Sequence, residues 1–124
     1  MSVLSRLLQQ PFQSRQRREL KKRFGWTQLD FVRSFTGDFE RRVAAELWDR
    51  LREAAVVSDF RPMPADDVTW LYGLADEDLD EDVLLSLLAS FDIPAPPQAA
   101  VRTFGAVRTV ADVVAFISEM RDLT

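Results

Sequence analysis

The chain has 124 residues, of which 47% are hydrophobic and 29% charged, a size and balance typical of one globular domain. It contains no cysteine and no histidine, which excludes disulfides, thiolate nucleophiles, histidine-based triads and the usual ligands of zinc. The net charge of −4 is divided unevenly, because residues 1–61 hold thirteen basic and eight acidic residues whereas residues 62–124 hold three and twelve.

The first residues do not resemble a targeting segment. Met1–Leu8 is mildly apolar, but Arg6 interrupts it and no small-residue cleavage site follows. An apolar run of the roughly 18 residues needed to cross a bilayer is also missing. We therefore expect a cytoplasmic protein. Fourteen arginines against two lysines are compatible with a GC-rich bacterial genome.

Residues 1–25 form a basic N-terminal arm that precedes a helical domain at 26–124. Ser2–Gln10 favours one or two helical turns that stop at Pro11. The next segment, Ser14–Arg23, is polar on all sides, and such a helix is poorly anchored, so we expect a loosely held arm. Its cations are Arg15, Arg17, Arg18, Lys21, Lys22 and Arg23.

Regular structure is predicted from Trp26 onward. Thr27 is a good helix N-cap and Asp30 follows at the capping-box position, while Trp26 and Phe31 occupy the positions of a hydrophobic staple. Gly37 favours the end of this short helix.

A longer helix is predicted from Asp38 to Ala55. Its apolar residues recur every four positions, at Phe39, Val43, Leu47 and Leu51, which is the helical period. Pro62 and Pro64 follow, so the connection Val56–Thr69 is expected to be mainly irregular.

Two further helices are predicted in the acidic half. One begins within the acidic run Asp76–Asp82 and ends before Pro94, and a short helix or turn is possible at Gln98–Phe104. The last helix opens with Thr109 as cap and Asp112 three residues later. Its apolar positions are Val110, Val113, Val114, Ile117 and Met120. The predicted fold class is all-α.

The order of motifs in the second half resembles the acyl carrier protein superfamily. The matching phrases are Tyr72–Gly73–Leu74, the acidic opening Asp76–Asp80, Phe91–Asp92–Ile93–Pro94 and the stretch Thr109–Ile117 that begins Thr-Val. The resemblance covers about residues 38–120. It implies a four-helix acyl-carrier-like bundle, to which the N-terminal region would be a helical extension.

One departure from that family concerns its prosthetic group. The serine that carries phosphopantetheine in the family falls here near Glu77 or Asp78, and no serine lies between Arg61 and Leu85. The resemblance therefore implies a carrier fold without the cofactor. Ser86 is the serine nearest to the expected place and leaves open a genuine carrier with an unconventional attachment site.

The acidic run is the first candidate site. It does not fit a calcium-binding EF-hand loop, because the sixth and twelfth positions counted from Asp76 are Glu81 and Leu87. Acids at a helix N-terminus are also favoured by the helix dipole alone. The resemblance implies a surface that docks basic protein partners, comprising Asp76, Glu77, Asp78, Asp80, Glu81 and Asp82.

The basic arm is the second candidate site. Its charge would suit nucleic-acid phosphates or an anionic membrane surface, but charge runs are more often solvated, and a solvated arm, or one folded against the acidic half of the chain, is the favoured explanation. Trp26, Trp48 and Trp70 are interpreted as core anchors.

The chain offers little for catalysis, since its acids lie in one exposed-looking cluster without an apolar pocket to raise a pKa. We therefore expect no enzyme activity, no cofactor and no metal. The leading hypothesis is a non-catalytic protein-interaction or adaptor module that uses the acidic helix start. The alternatives are the unconventional carrier and a regulatory or nucleic-acid-associated protein that uses the basic arm.

Overall fold

The computed structural model describes the backbone of residues 3–74, 79–95 and 107–123, and the side chains in these ranges except at 3–8 and 80–82. The helices are α1 (Val3–Lys22), α2 (Gln28–Arg33), α3 (Asp38–Ala54), α4 and α5 (Val110–Asp122). Helix α4 consists of a π-helical part, Leu79–Leu85, and an α-helical part, Ser86–Ser90. The part of the chain that the structure describes is all-α, and no helix in it is long and apolar enough to cross a membrane.

Helix α1 runs through Pro11 without ending there, so the predicted stop is wrong. Proline removes one backbone hydrogen bond from a helix and crowds the preceding turn. Helices tolerate this loss when other contacts hold the segments on both sides. Helix α1 has such contacts further along, in its second half.

Helix α2 begins with the predicted capping box. The Thr27 hydroxyl accepts from the Asp30 N–H at 3.3 Å, and the Asp30 carboxylate accepts from the Thr27 N–H at 2.9 Å. The predicted end is wrong, because α2 stops at Arg33 with Ser34 as C-cap and Gly37 is instead the N-cap of α3. Arg41 accounts for part of this break, since its Nε donates to the Phe35 carbonyl at 2.7 Å.

Helix α3 lies at the centre of the fold and contacts α2, α4 and α5. Its predicted apolar stripe is confirmed: Val43, Leu47 and Leu51 are fully buried, and Phe39 packs against the core. Phe31 of α2 lies against Trp48 with ring centroids 5.5 Å apart. The core is therefore organised around one long amphipathic helix.

The segment between α3 and α4 is irregular, as predicted, but it is firmly attached to α5. Val68 N–H donates to the Arg108 carbonyl, and Val110 N–H donates to the Asp66 carbonyl, both at 2.9 Å. Ala111 N–H donates to the Pro64 carbonyl at the same distance. The bonds from Val110 and Ala111 satisfy backbone donors in the first turn of α5 that the helix itself leaves free.

Helix α4 ends in a Schellman motif at the Phe-Asp-Ile-Pro phrase. Ile93 N–H donates to the Leu88 carbonyl at 2.9 Å and Asp92 N–H to the Ala89 carbonyl at 3.2 Å. Asp92 adopts the left-handed conformation with φ of 55°, a position that most often holds glycine. Leu88 and Ile93 are both buried, so this phrase closes the helix and adds to the core.

Helix α5 begins with the second predicted capping box, in which Thr109 and Asp112 exchange hydrogen bonds. Its predicted apolar positions are all buried: Val110, Val113, Val114, Ile117 and Met120. The predicted elements at Gln98–Phe104 and at the start of the acidic run lie outside the described residues.

Candidate functional site

Helix α1 is fixed to the irregular segment by a buried glutamine. Gln16 has no exposed surface; its Nε2 donates to the Leu71 carbonyl at 2.9 Å, and its Oε1 accepts from the Val57 N–H at 3.0 Å. A buried amide side chain whose donor and acceptor are both satisfied holds its helix in one position. The expectation of a loosely held arm is therefore wrong for this part of the chain.

A second anchor lies one residue past the end of α1, where Arg23 meets Asp66. The Arg23 guanidinium makes two hydrogen bonds to the carboxylate, one of them from Nη1 to Oδ2 at 2.8 Å, and also donates to the Arg61 carbonyl at 2.7 Å. Arg23 is 4% and Asp66 is 7% exposed. A paired geometry of this kind is the strongest form of ion pair.

The same carboxylate collects two more hydrogen bonds. Oδ2 of Asp66 accepts from the Tyr72 hydroxyl at 2.9 Å and from the Met63 N–H at 2.8 Å. Burial, together with the charge of Asp66, raises the pKa of Tyr72 well above its ordinary value of 10.0. Although burial opposes it, hydrogen bonding to Asp66 raises the pKa of Arg23.

This cluster has the perturbed titration that often marks an active site. All three of its members are nevertheless closed to solvent, Tyr72 being 4% exposed, and both oxygens of Asp66 are occupied. The cluster therefore offers a substrate neither an unpaired carboxylate oxygen at Asp66 nor access from solvent. The arrangement is suited to fixing helix α1 against the segment 61–72.

Two of the six predicted arm cations are used inside the protein. Besides Arg23, Arg15 donates to the Trp70 carbonyl at 2.9 Å and lies over the Trp70 ring, 4.7 Å from its centroid. Trp70 is 50% exposed, so the prediction that it is a core anchor is wrong. Trp48 is buried and Trp26 is half-buried with its indole N–H donating to the Pro62 carbonyl.

The remaining arm cations lie on the outer side of α1. Arg17, Arg18, Lys21 and Lys22 are all exposed, and Lys22 pairs with Glu19 at 2.9 Å. Among the described residues, Arg17, Arg18 and Lys21 form no ion pair. We call these four residues the cationic face of α1. Because the opposite side of the helix is anchored, this face is held in a fixed orientation.

Much of the predicted acidic site cannot be placed. Asp76, Glu77 and Asp78 lie outside the described residues, and the side chains of Asp80, Glu81 and Asp82 are not described. Leu79 and Val83, which flank those three, are buried.

Ser86 and Ser90 of α4 are both held by Arg50 of α3. The Arg50 guanidinium donates to the Ser86 hydroxyl and, at 2.7 Å, to the Ser90 hydroxyl. Ser90 in turn donates to the Ser86 carbonyl at 3.0 Å. Ser86 is half-buried and its hydroxyl oxygen already accepts from a cation. It lies on a helix and not on the exposed turn that presents a nucleophilic serine.

An open cleft of about 370 Å³ lies beside the first turn of α2. Its charged groups are already engaged: Arg52 pairs with Asp59 at 3.0 Å, and Arg61 donates to the Arg23 carbonyl at 3.1 Å. Within the described ranges, acidic residues form no group of three suited to hold a metal ion.

Sequence reasoning missed Phe24, which follows the cationic face. Its side chain is 97% exposed, the largest exposed fraction of the large apolar side chains described. The glycine after Phe24 indicates a turn, because glycine adopts a positive φ without steric cost, but the sequence has no signal for the exposure of the phenyl ring.

Comparisons with protein-family models, with curated proteins and with solved structures find no match to this chain. The resemblance to acyl carrier proteins stays a prediction from the residues themselves.

Proposed function

We propose that this protein is a non-catalytic interaction module that binds an anionic macromolecular surface through the cationic face of α1. The observation that carries the proposal is the contrast between the two sides of one helix. Gln16 and Arg23 are buried in specific hydrogen bonds, whereas Arg17, Arg18 and Lys21 are exposed and unpaired among the described residues.

The anchoring makes this face more effective than a flexible basic tail. Ordering a long side chain or a segment at an interface costs free energy at the moment of binding. Here the backbone is already fixed, so less of the electrostatic attraction is lost to ordering. Several cations in a fixed row also accelerate association at low ionic strength, an effect that salt weakens.

The absence of catalysis is part of the same proposal. The buried Arg23–Asp66–Tyr72 cluster has the altered pKa values of a reactive site, but its groups are mutually satisfied and shielded from solvent. The open cleft near Trp26 has its two arginines engaged. Neither place offers a free acid, base or nucleophile beside a space for substrate.

The test is retention on three polyanions, namely heparin, duplex DNA and anionic lipid vesicles, at increasing salt. R17E/K21E should lose retention, because it reverses two cations of the face. R33E/R108E is the matched control: both arginines are exposed and lie outside the face, and the net charge changes equally. Equal losses in the two variants, or no retention of the wild type at low salt, would refute the proposal.

A second candidate is the adaptor function through the acidic helix start. It is favoured by α4 and α5, whose Schellman end at Asp92 and capping box at Thr109 occupy the phrases that carry the carrier resemblance. D78K/D80K/E81K should then abolish binding to a basic protein partner. An unchanged intact mass after incubation with a phosphopantetheinyl transferase and coenzyme A is expected, and addition of one phosphopantetheine would instead indicate the unconventional carrier.

A further inference from the structure

The turn after α1 is fixed at both of its ends. Trp26 N–H donates to the Arg23 carbonyl at 3.0 Å, which closes a four-residue turn with Phe24 and Gly25 at its centre. Gly25 has φ of 82°, a conformation that suits glycine at the third position of such a turn. The first and last residues of the turn are both anchored: Arg23 bonds Asp66, and Trp26 bonds the Pro62 carbonyl.

The side chain at the tip of this turn contributes nothing to the core. Phe24 is 97% exposed, and the fold around it is set by its neighbours. Transfer of a phenyl ring from water to an apolar environment is favourable, and the fold does not use this gain at Phe24. A single exposed apolar side chain is common on protein surfaces, so this ring indicates a binding surface only together with the cations that lie beside it on the chain.

Basic residues precede Phe24 closely in the chain. Arg17 and Lys21 are four residues apart, the spacing that places side chains on one side of a helix, and Phe24 follows Lys21 by three residues, in the turn directly after α1. The Arg23 N–H still bonds the Leu20 carbonyl at 3.0 Å, so the helical course continues to the start of the turn. Leu29, five residues beyond Phe24, is a second exposed apolar side chain, at 55%.

We propose that the anionic surface is a lipid bilayer, into whose interfacial region Phe24 inserts while the cationic face of α1 contacts acidic headgroups. This inference rests on the proposed function and names its partner. A bilayer accepts an apolar side chain without a matching pocket, and each cation near an anionic bilayer surface strengthens the attraction. Single-stranded nucleic acid instead requires several aromatic platforms along a groove, and the face of α1 offers one ring at its end.

The uneven distribution of charge along the chain favours contact with an anionic bilayer through α1. Residues 62–124 hold twelve acidic and three basic residues, whereas the exposed Arg17, Arg18, Lys21 and Lys22 of α1 are all cations, so α1 is a part of the chain that an anionic bilayer attracts. The attachment is expected to be reversible, since even one covalent lipid chain gives only reversible membrane binding and a phenyl ring buries less apolar surface than such a chain.

The experiment measures co-sedimentation with vesicles of phosphatidylcholine and phosphatidylserine in equal amounts, and with vesicles of phosphatidylcholine alone. Wild type should bind the mixed vesicles and not the neutral ones. F24A should bind about 10- to 100-fold more weakly, which is the loss of the phenyl burial. L123A is the control, because Leu123 is a 69% exposed apolar residue at the other end of the chain, and should bind as wild type does.

Insertion has its own readout in F24W. Its added fluorescence should shift to the blue and be quenched by brominated lipid in the mixed vesicles. Equal binding of F24A and wild type, or an unshifted F24W spectrum in bound protein, would overturn the insertion of Phe24. Retention on heparin or DNA without binding to mixed vesicles would overturn the bilayer as partner and leave the cationic-face function standing; loss of all retention would remove both.

Discussion

The carboxylate of Asp66 accepts two hydrogen bonds from the guanidinium of Arg23, 43 positions earlier in the sequence. The pair is buried, and it joins the end of α1 to the segment that also fixes the start of α5. Removing either partner leaves the other as an uncompensated buried charge, so the stability of the fold depends on both residues being present.

Neutralising that carboxylate is expected to be severe. D66N should lower the free energy of unfolding by about 3–5 kcal/mol, since Arg23 stays buried without a counter-charge. Urea denaturation gives the value. D59N is the control: Asp59 pairs with Arg52 at the surface and has φ of 58°, which asparagine tolerates, so a change within about 0.5 kcal/mol is expected. The idea of a structural ion pair fails if the two variants are equally stable.

Alkaline pH should reduce the free energy of unfolding through ionisation of Tyr72. Its pKa is raised well above 10.0 in the folded state, so folding favours the neutral phenol. The resulting stability is complete below the unfolded pKa of about 10 and is lost as pH rises from there towards the folded value. Tyr72 is the only tyrosine, so near-ultraviolet absorbance of tyrosinate follows it directly. Y72F should lack this part of the alkaline loss, and tyrosinate forming near pH 10 in folded protein would contradict the prediction.

Two glycines with positive φ should respond differently to alanine. At Gly73 (φ 73°) an added Cβ lies 3.0 Å from the Phe12 ring of α1, whereas at Gly25 (φ 82°) nothing lies within 4 Å. G25A should cost about 1–2 kcal/mol through backbone strain alone. G73A should cost more, because it also pushes α1 away from the segment 61–74. Thermal unfolding of the two variants compares them, and G73A milder than G25A would argue against the close contact with Phe12.

Low pH should reduce the free energy of unfolding through Asp112, at the start of α5. Partial burial of Asp112 acts in the opposite direction, but hydrogen bonds from the Thr109 and Arg108 N–H groups lower its pKa below the ordinary 3.8. The stability it provides is therefore present above about pH 4 and is lost as pH falls through the lowered pKa. Urea denaturation from neutral to acid pH should show a smaller acid loss in D112N than in wild type. An equal loss of stability at acid pH in D112N and in wild type would be inconsistent with this role.

Local signals in the sequence predicted the helices best. The capping boxes at Thr27 and Thr109 require two residues three positions apart, and the stripe of α3 requires one apolar residue per turn. Such patterns are complete within a few turns of chain. Gly37 shows their limit, because glycine suits either side of a helix boundary and the contact of Arg41 with the Phe35 carbonyl moved that boundary.

The docking of α1 was not predictable by the same means. Hydrophobic periodicity counts apolar residues, and the inner side of this helix is held by Gln16 and Arg23, whose partners lie 41 to 55 positions away. A polar helix anchored by buried hydrogen bonds therefore has the same sequence pattern as a solvated one. For the same reason Arg15 and Arg23 were grouped with the free cations, although each is used within the protein.

The junction at Asp66 also constrains the order in which a nascent chain can fold. In the order of synthesis Arg23 precedes its buried partner Asp66, and Val110, whose N–H donates to the Asp66 carbonyl, follows both. Contacts so distant in sequence form late, because a long loop must close before they provide any stabilisation. The junction is therefore complete only after all three of these residues, and the segments that separate them, have been synthesised.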